Sequence, residues 1–279
     1  MNTPVLFTIF NRPDLTRRVF ERIRAARPPV LLVVADGPRD GNLSDLALCR
    51  AARAEIQVDW PCELLTQYAE TNMGCGVRLA TGTMWAFNHV ERALTLEDDN
   101  LPHPNYFRVV DELLDRFADY KQIWGISGSR AVMDRKPDGA PSYSFEHSVW
   151  HHSFATWRDR MAHFDFYVRS WKESDAPRKR LERRLSGSEL QWWITALDEA
   201  YVKSHEPRYW TWDVQVQYLV QQFGWAAVTT ANMVSEIGFR EDATNNRDPN
   251  NWLGKLPAWP MEWPLVHPEI PEPLEEIEA

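Results

Sequence analysis

Short apolar, β-branched runs alternate with helix-length stretches over the first 127 residues, and that alternation leaves the chain few folds to choose from. Val5–Phe10 ends at Asn11-Arg12-Pro13, after which Leu15, Val19 and Ile23 recur at helical spacing until Pro28-Pro29. Val30–Ala35 is a second run and stops at Asp36-Gly37-Pro38. A helical stretch over Ser44–Glu55, a weaker strand near Glu63–Gln67 and a Gly-bearing turn over Thr71–Gly76 follow, leading into a helix over Val77–Val90. Ala93–Leu96 then runs into Glu97-Asp98-Asp99. The Asn105–Tyr120 segment gathers Val109, Val110, Leu113, Leu114 and Phe117 on one helical side, and Ile123–Ser127 is the next strand. Repeated strand–helix–strand units predict an α/β protein with a mostly parallel central sheet flanked by helices.

Beyond residue 128 the pattern loosens. Ser129–Ser144 reads as a long loop, His147–Phe166 is crowded with aromatic residues, and 178–184 is a basic run. Glu189–Val202 and Asp213–Phe223 read as helices and Trp225–Thr230 as a strand. Pro and Trp then recur to an acidic end, which predicts an extended tail held on the body through Trp252, Trp259 and Trp263. The division expected is 1–128 for one half of the body, 129–248 for the other, and 249–279 for the tail.

Composition narrows the function. The formal net charge is −9, which argues against binding nucleic acid by bulk electrostatics. No apolar run reaches the roughly 18 residues that suggest a membrane span. The opening MNTPVLFTIFNRP lacks the basic start and long apolar stretch of a secretory leader, so a cytoplasmic location is expected. Three cysteines without a CxxC pair fit a reducing compartment better than a disulfide scaffold. The 14 Trp residues suit large core positions, and equally a cleft that stacks on sugars or bases.

Polar residues fall directly after predicted strands: Asn11 and Arg12, Asp36, and the acidic triplet at 97–99. In parallel sheets ligands sit beyond the carboxyl ends of strands, so one crevice could collect them all. Adjacent carboxylates repel, and a divalent cation with phosphate oxygens in its shell would relieve them; a solvated acidic turn is the ordinary alternative. Asp36-Gly37 suits an acceptor for a ribose hydroxyl or a base N–H, and also a plain turn. Asn72, Gly74 and Gly76 precede a helix, where a Gly-x-Gly turn can cradle an anion. The pattern lacks the third Gly of a dinucleotide fingerprint and the Lys-Ser/Thr of a P-loop. His147, His151 and His152 lie close in sequence but without the context of a zinc site.

The ordered set TIFNRPDL (8–15), ADGPR (35–39), NMGCG (72–76), LEDDNLPHPNYF (96–107), ISGS (126–129), FATW (154–157), TWDVQ (211–215) and IGFREDATNN (237–246) resembles GT-A glycosyltransferases. Within these, it is similar to the bacterial family-two-like subgroup, distantly of the N-acetylglucosaminyltransferase I type. The resemblance runs from about residue 3 to the PLVHP segment at 264–268. It implies a GT-A-like (Rossmann-like) body with a nucleotide-sugar half and an acceptor half. It also implies that Asp99 contacts Mn²⁺ or Mg²⁺, with Asp98 near the ribose or sugar. Asn11, Arg12 and Asp36 would then line the nucleotide. Two departures stand out: Ser153-Phe154 replaces a Gly-Trp pair, implying a different acceptor, and Asn245 stands where relatives carry a His that could complete the metal shell.

Together these readings predict transfer of a sugar from a nucleotide diphosphate sugar to an acceptor hydroxyl or amine, with inversion. Such chemistry needs a general base on the acceptor side. Asp213 is the first candidate, because it follows an aromatic segment and opens a predicted helix, and relatives carry an Asp there; Glu241 and Asp242 are the runners-up. An Asp that merely starts a helix is the ordinary alternative. Rival functions are a sugar-1-phosphate nucleotidyltransferase and a non-catalytic carbohydrate- or nucleic-acid-binding module. A narrower variant keeps the transfer but takes a modified DNA base as acceptor, resting on the 178–184 basic run with Trp171, Trp192 and Trp193 nearby.

Overall fold

The computed structural model describes residues 1–134, 138–150, 153–206, 209, 211–241, 243 and 247–274. The chain builds β1 (Val5–Ile9), α1 (Pro13–Ala26), β2 (Val30–Ala35), α2 (Leu43–Ala54), β3 (Glu63–Tyr68), α3 (Cys75–His89) and β4 (Arg92–Glu97). Then come β5 (Asn100–Pro102), α4 (Tyr106–Phe117), β6 (Ile123–Ser127), β7 (Tyr143–Glu146), β8 (Phe154–Trp157), α5 (Arg158–Met161), α6 (Ser170–Glu173) and α7 (Ala176–Arg184). α8 (Gly187–Lys203), α9 (Asp213–Phe223), β9 (Trp225–Thr229) and β10 (Val234–Glu236) follow, with a single 3-10 turn over Trp252–Lys255.

Eight strands form one sheet in the order β3-β2-β1-β4-β8-β6-β9-β7. β1, β2, β3 and β4 run parallel, as do β6 and β9. β8 is antiparallel to both β4 and β6, and β7 is antiparallel to β9. The central strands are mostly apolar because both faces are covered. Val5, Phe7 and Ile9 of β1 pack with α1 and α4 on one side, whereas Leu6 packs with α3 and α9 on the other. α1 starts at Pro13, whose ring suits a first helical turn, and buries Leu15, Thr16, Val19, Phe20 and Ile23. α4 buries the stripe its spacing predicts.

β7 and β8 lie within the stretch read as loop and aromatic cluster, because a four-residue strand leaves almost no periodic trace. β8 inserts between β4 and β6, so residues on both sides of position 128 share one sheet. α6, α7 and α8 close a smaller core with α9 around Trp171, Leu181, Trp193, Leu197 and Tyr218. After the 3-10 turn the chain crosses the body as a strap. Trp259 N–H donates to the Asn232 carbonyl at 2.7 Å, Trp263 Nε1 donates to Glu112 at 2.8 Å, and Met261 and Leu265 enter the main core. Trp252, expected among the anchors, is half exposed. No helix among the described residues is long and apolar enough to cross a membrane.

Candidate active site

A cleft of about 680 Å³ opens beyond the carboxyl ends of β1, β2 and β4, within the size range of small-molecule sites. Arg12, Asp36, Asp98, Asp99 and Asp213 all line it, so the structure brings the strand-end residues and the first residue of α9 to one place.

The acidic end is built by a tight turn. β4 ends at Glu97, and the Asn100 side chain accepts from Glu97 N–H at 3.2 Å, folding Asp98 and Asp99 back toward β1. Arg12, the residue just before α1, lies between the two carboxylates. It pairs with Asp98 through Nη2 and with Asp99 through Nη1 at 3.0 Å. The Asp98 side chain is 3% exposed, whereas those of Asp99 and Arg12 are 20% and 21% exposed. Burial pushes the Asp98 carboxyl up, and the Arg12 charge opposes it. Burial works against the Arg12 charge as well, but the two carboxylates outweigh it and raise its pKa.

A two-stranded ribbon completes this end. β10 pairs antiparallel with β5 so that Glu236 faces Asn100, whose Nδ2 lies 3.2 Å from both Asp99 Oδ1 and Glu236 Oε2. The loop after β10 then passes so close that a Cβ on Gly238 would meet Asp99 Oδ2 at 2.2 Å. Glu236 escaped the sequence reading because a three-residue strand gives no pattern to read.

Asp36 is differently employed from the expectation of a ligand acceptor. Its Oδ1 accepts from Gly37 N–H at 2.8 Å and Met73 N–H at 2.9 Å, and its Oδ2 accepts from Asn72 Nδ2 at 2.9 Å and Gly74 N–H at 3.2 Å. Four donors fill a carboxylate's accepting positions. Burial pushes its pKa up, against the pull of these N–H groups. Asn72 and the Gly74 amide are thus spent on Asp36 rather than turned to an anion, although Asn72, Gly74 and Cys75 still line the cleft. Gly74 (φ 84°) adopts a backbone that favours glycine. Gly76 lies outside the wall; its missing Cβ lets α3 approach the Thr211 and Tyr209 carbonyls, which a Cβ would meet at 2.5 and 2.6 Å. Asn11 also falls outside the wall, because its Nδ2 donates to Asp45 at 2.8 Å. Asn11 and Asn72 are thus claimed by carboxylates 34 and 36 residues away.

Asp213 is the first residue of α9, where the helix N-terminus favours negative charge. Cys75, exposed to the cleft, has its thiol pKa raised by the protein packed around it and then by the charges of Glu97, Asp213 and Asp99. Carboxylates from β4, from the turn after it and from α9 thus line the same cleft as this thiol. Glu241 is exposed and does not line the cleft; its neighbour Arg240 pairs with Asp14 in the first turn of α1. Asp242 lies outside the described residues, as do Asn245, His151 and His152.

Residues not anticipated as site residues also face the cleft. Arg39 lies 5.6 Å over the Phe10 ring and pairs with Asp45, and Trp150, Asn251 and Leu253 complete the wall. Among the described residues, six carboxylates and three guanidiniums line it. Among the described residues no three His, Cys, Asp or Glu side chains are gathered into a metal cage. A magnesium-type ion needs less, since it is usually held by one or two carboxylates plus substrate phosphates. The oxygen-only donors at this end, with Asp99 the more exposed of the adjacent pair, fit that description.

Part of the basic run is engaged by the chain, and Lys179 and Arg183 are exposed. Arg180 pairs with Gln222 and Arg184 with the Gln221 carbonyl, while Arg178 pairs with Glu182 on the same helix. Trp171 and Trp193 are buried in the smaller core, so they do not supply the stacking surface that a flipped DNA base would need; Trp192 alone of the three is half exposed.

No family model and no curated protein matches the chain. Among solved structures, S. aureus TarS 1–349 is similar to it with a TM-score of 0.43 and 12% identity, over 84% of this chain and 59% of that one. The same TarS segment in complex with UDP-GlcNAc matches with a TM-score of 0.39 and 14% identity, over 60% of this chain and 48% of that one. A UDP-glucose pyrophosphorylase complexed with UDP-glucose matches with a TM-score of 0.33 and 9% identity, over 60% of this chain and 81% of that one. This chain thus spans 59% of the length of the first of these structures.

Proposed function

We propose that the protein is a nucleotide-sugar-dependent glycosyltransferase that moves a sugar, with inversion, from a nucleotide diphosphate sugar to an acceptor hydroxyl or amine. The observation that carries this reading is the single cleft in which Arg12, Asp98 and Asp99 at the strand ends meet Asp213 at the start of α9. The ordered motifs, which resemble GT-A enzymes of the bacterial family-two-like subgroup, support the same class.

The cleft wall is acidic, so a diphosphate would enter it only with cations. Mn²⁺ or Mg²⁺ held by Asp99 would supply Lewis-acid neutralisation of the leaving diphosphate. The chain's own contribution is to bind and orient. Arg12 offers a guanidinium to phosphate oxygens. Asp36 holds the 72–74 turn and so shapes the wall beside the nucleotide. Asp213 takes the acceptor proton on its carboxylate while the acceptor oxygen or nitrogen forms its bond to the anomeric carbon. The bond from that carbon to the diphosphate oxygen breaks, and the nucleoside diphosphate leaves.

The test is incubation of the full chain with a panel of labelled nucleotide sugars, with and without Mn²⁺, alongside thermal-shift measurements. A true donor at 100 times its Kd should add about 2.7 kcal/mol of apparent stability. Slow release of nucleoside diphosphate from one donor supports the reading. Binding without any turnover favours a non-catalytic sugar-binding module, and pyrophosphate exchange with a nucleoside triphosphate and a sugar phosphate favours a nucleotidyltransferase.

A further inference from the structure

The contacts of Arg12 are unequal, and the inequality has a consequence for cation binding. Its bond to Asp98 is enclosed, with the carboxylate 3% exposed, and a buried charge of that kind needs its partner. Its 3.0 Å bond to Asp99 lies in the wetter part of the cleft. Asp99 itself has both oxygens engaged by the chain, Oδ2 by Arg12 and Oδ1 by Asn100 at 3.2 Å. A divalent cation reaching Asp99 would therefore lie beside a guanidinium, and like charges a few ångströms apart repel. An arginine cannot relieve this by losing its proton, so it must move.

We infer that Arg12 is an exchangeable counter-ion of the acidic turn: its guanidinium and a divalent cation compete for Asp99, and on exchange it keeps Asp98 and turns its freed N–H donors to the diphosphate. This rests on the metal-dependent reading proposed above. It adds that the same residue opposes the bare cation and favours the cation together with the nucleotide. Two guanidinium nitrogens hold two different carboxylates, an arrangement a lysine's point charge does not reproduce.

The test is calorimetric titration of the full chain with Mn²⁺ alone, and then with UDP at saturating Mn²⁺. Removing a charge-assisted contact that competes for Asp99 should tighten Mn²⁺ alone by about tenfold in Arg12→Gln, and weaken UDP by about tenfold. Because Arg12→Gln leaves Asp98 buried without its cation, the comparison is repeated between Asp98→Asn and the double variant Arg12→Gln/Asp98→Asn, where no buried charge is orphaned. The same tightening is expected there. Unchanged or weaker Mn²⁺ binding on loss of Arg12 overturns the inference, as does failure of both wild type and variants to bind Mn²⁺. The glycosyltransferase reading fails separately, in the donor-turnover assay, and metal-independent turnover would leave it standing while this inference falls.

Discussion

Asp213 and Asp99 carry the chemistry proposed here from different elements, and their environments suit different tasks. Asp99 is held by Arg12 and Asn100 in the turn after β4, whereas Asp213 opens α9 in the same wall. Replacing Asp213 by Asn keeps the shape and removes the proton acceptor. Turnover should fall by about 10²–10⁴, the usual share of general-base catalysis, with donor affinity little changed. Steady-state kinetics on Asp213→Asn checks this; near-normal kcat alongside an inactive Asp242→Asn would move the base to the loop after β10. Residue identity was legible here in part. The strand-end positions of Arg12, Asp98 and Asp99 follow from where apolar runs stop. The employment of Asn11, Asn72 and Asp36 by other parts of the chain does not, because hydrogen-bond partners 34 to 38 residues away leave no mark on local sequence.

At the scale of elements, the loop after β10 and the edge of the sheet near β7 each make a checkable statement. Gly238 lies outside the left-handed region, so alanine is not strained by its φ there but would press on the Asp99 side chain, its carboxylate first and its Cβ at 2.9 Å. Gly238→Ala should displace that carboxylate. It should weaken UDP binding in Mn²⁺ by about tenfold and, because Gly238 is buried, cost about 1–3 kcal/mol of stability, the range for overpacking an enclosed position. Calorimetry with UDP and Mn²⁺ reads it, and wild-type affinity would show that Asp99 is not held by this loop.

His147, just past β7, stacks on Trp225 at 3.6 Å between centroids, with Nδ1 2.8 Å from the Gly224 carbonyl and 2.9 Å from Arg184 Nη1. Burial, aided by the Arg184 charge, pushes its pKa from the ordinary 6.5 down to about 4. The native state thus refuses a proton that the unfolded chain accepts. Its stabilising contribution is complete above pH 6.5 and is lost as pH falls toward about 4. Denaturation midpoints measured across that window should fall more steeply for the wild type than for His147→Gln; parallel curves would show that another group titrates.

For the whole molecule, the strap decides more than its composition suggests. Residues beyond 256 read as an extended tail held on the body through its Trp residues, and the hold goes further: Leu265 reaches the core that β1, α1 and α4 share, and Ser142 N–H donates to the Val266 carbonyl at 2.8 Å. Leu265→Ala should cost about 2–5 kcal/mol, the range for emptying a buried aliphatic site, without loss of donor binding. Urea denaturation measures it, and a cost well under that range would make the strap peripheral.

Local pattern by itself determined the α/β class, the amphipathic α1 and α4, and the polar residues that end β1, β2 and β4. Apolar periodicity and abrupt polar stops follow from burial on both faces of a parallel sheet. Tertiary structure alone decided the rest: the antiparallel insertion of β8 between β4 and β6, the β5–β10 ribbon that brings Glu236 beside Asn100, and the diversion of Asp36 to the 72–74 turn. Those features rest on pairings between distant segments. Their energy lies in hydrogen bonds and ion pairs whose two halves are each unremarkable where they stand in the chain.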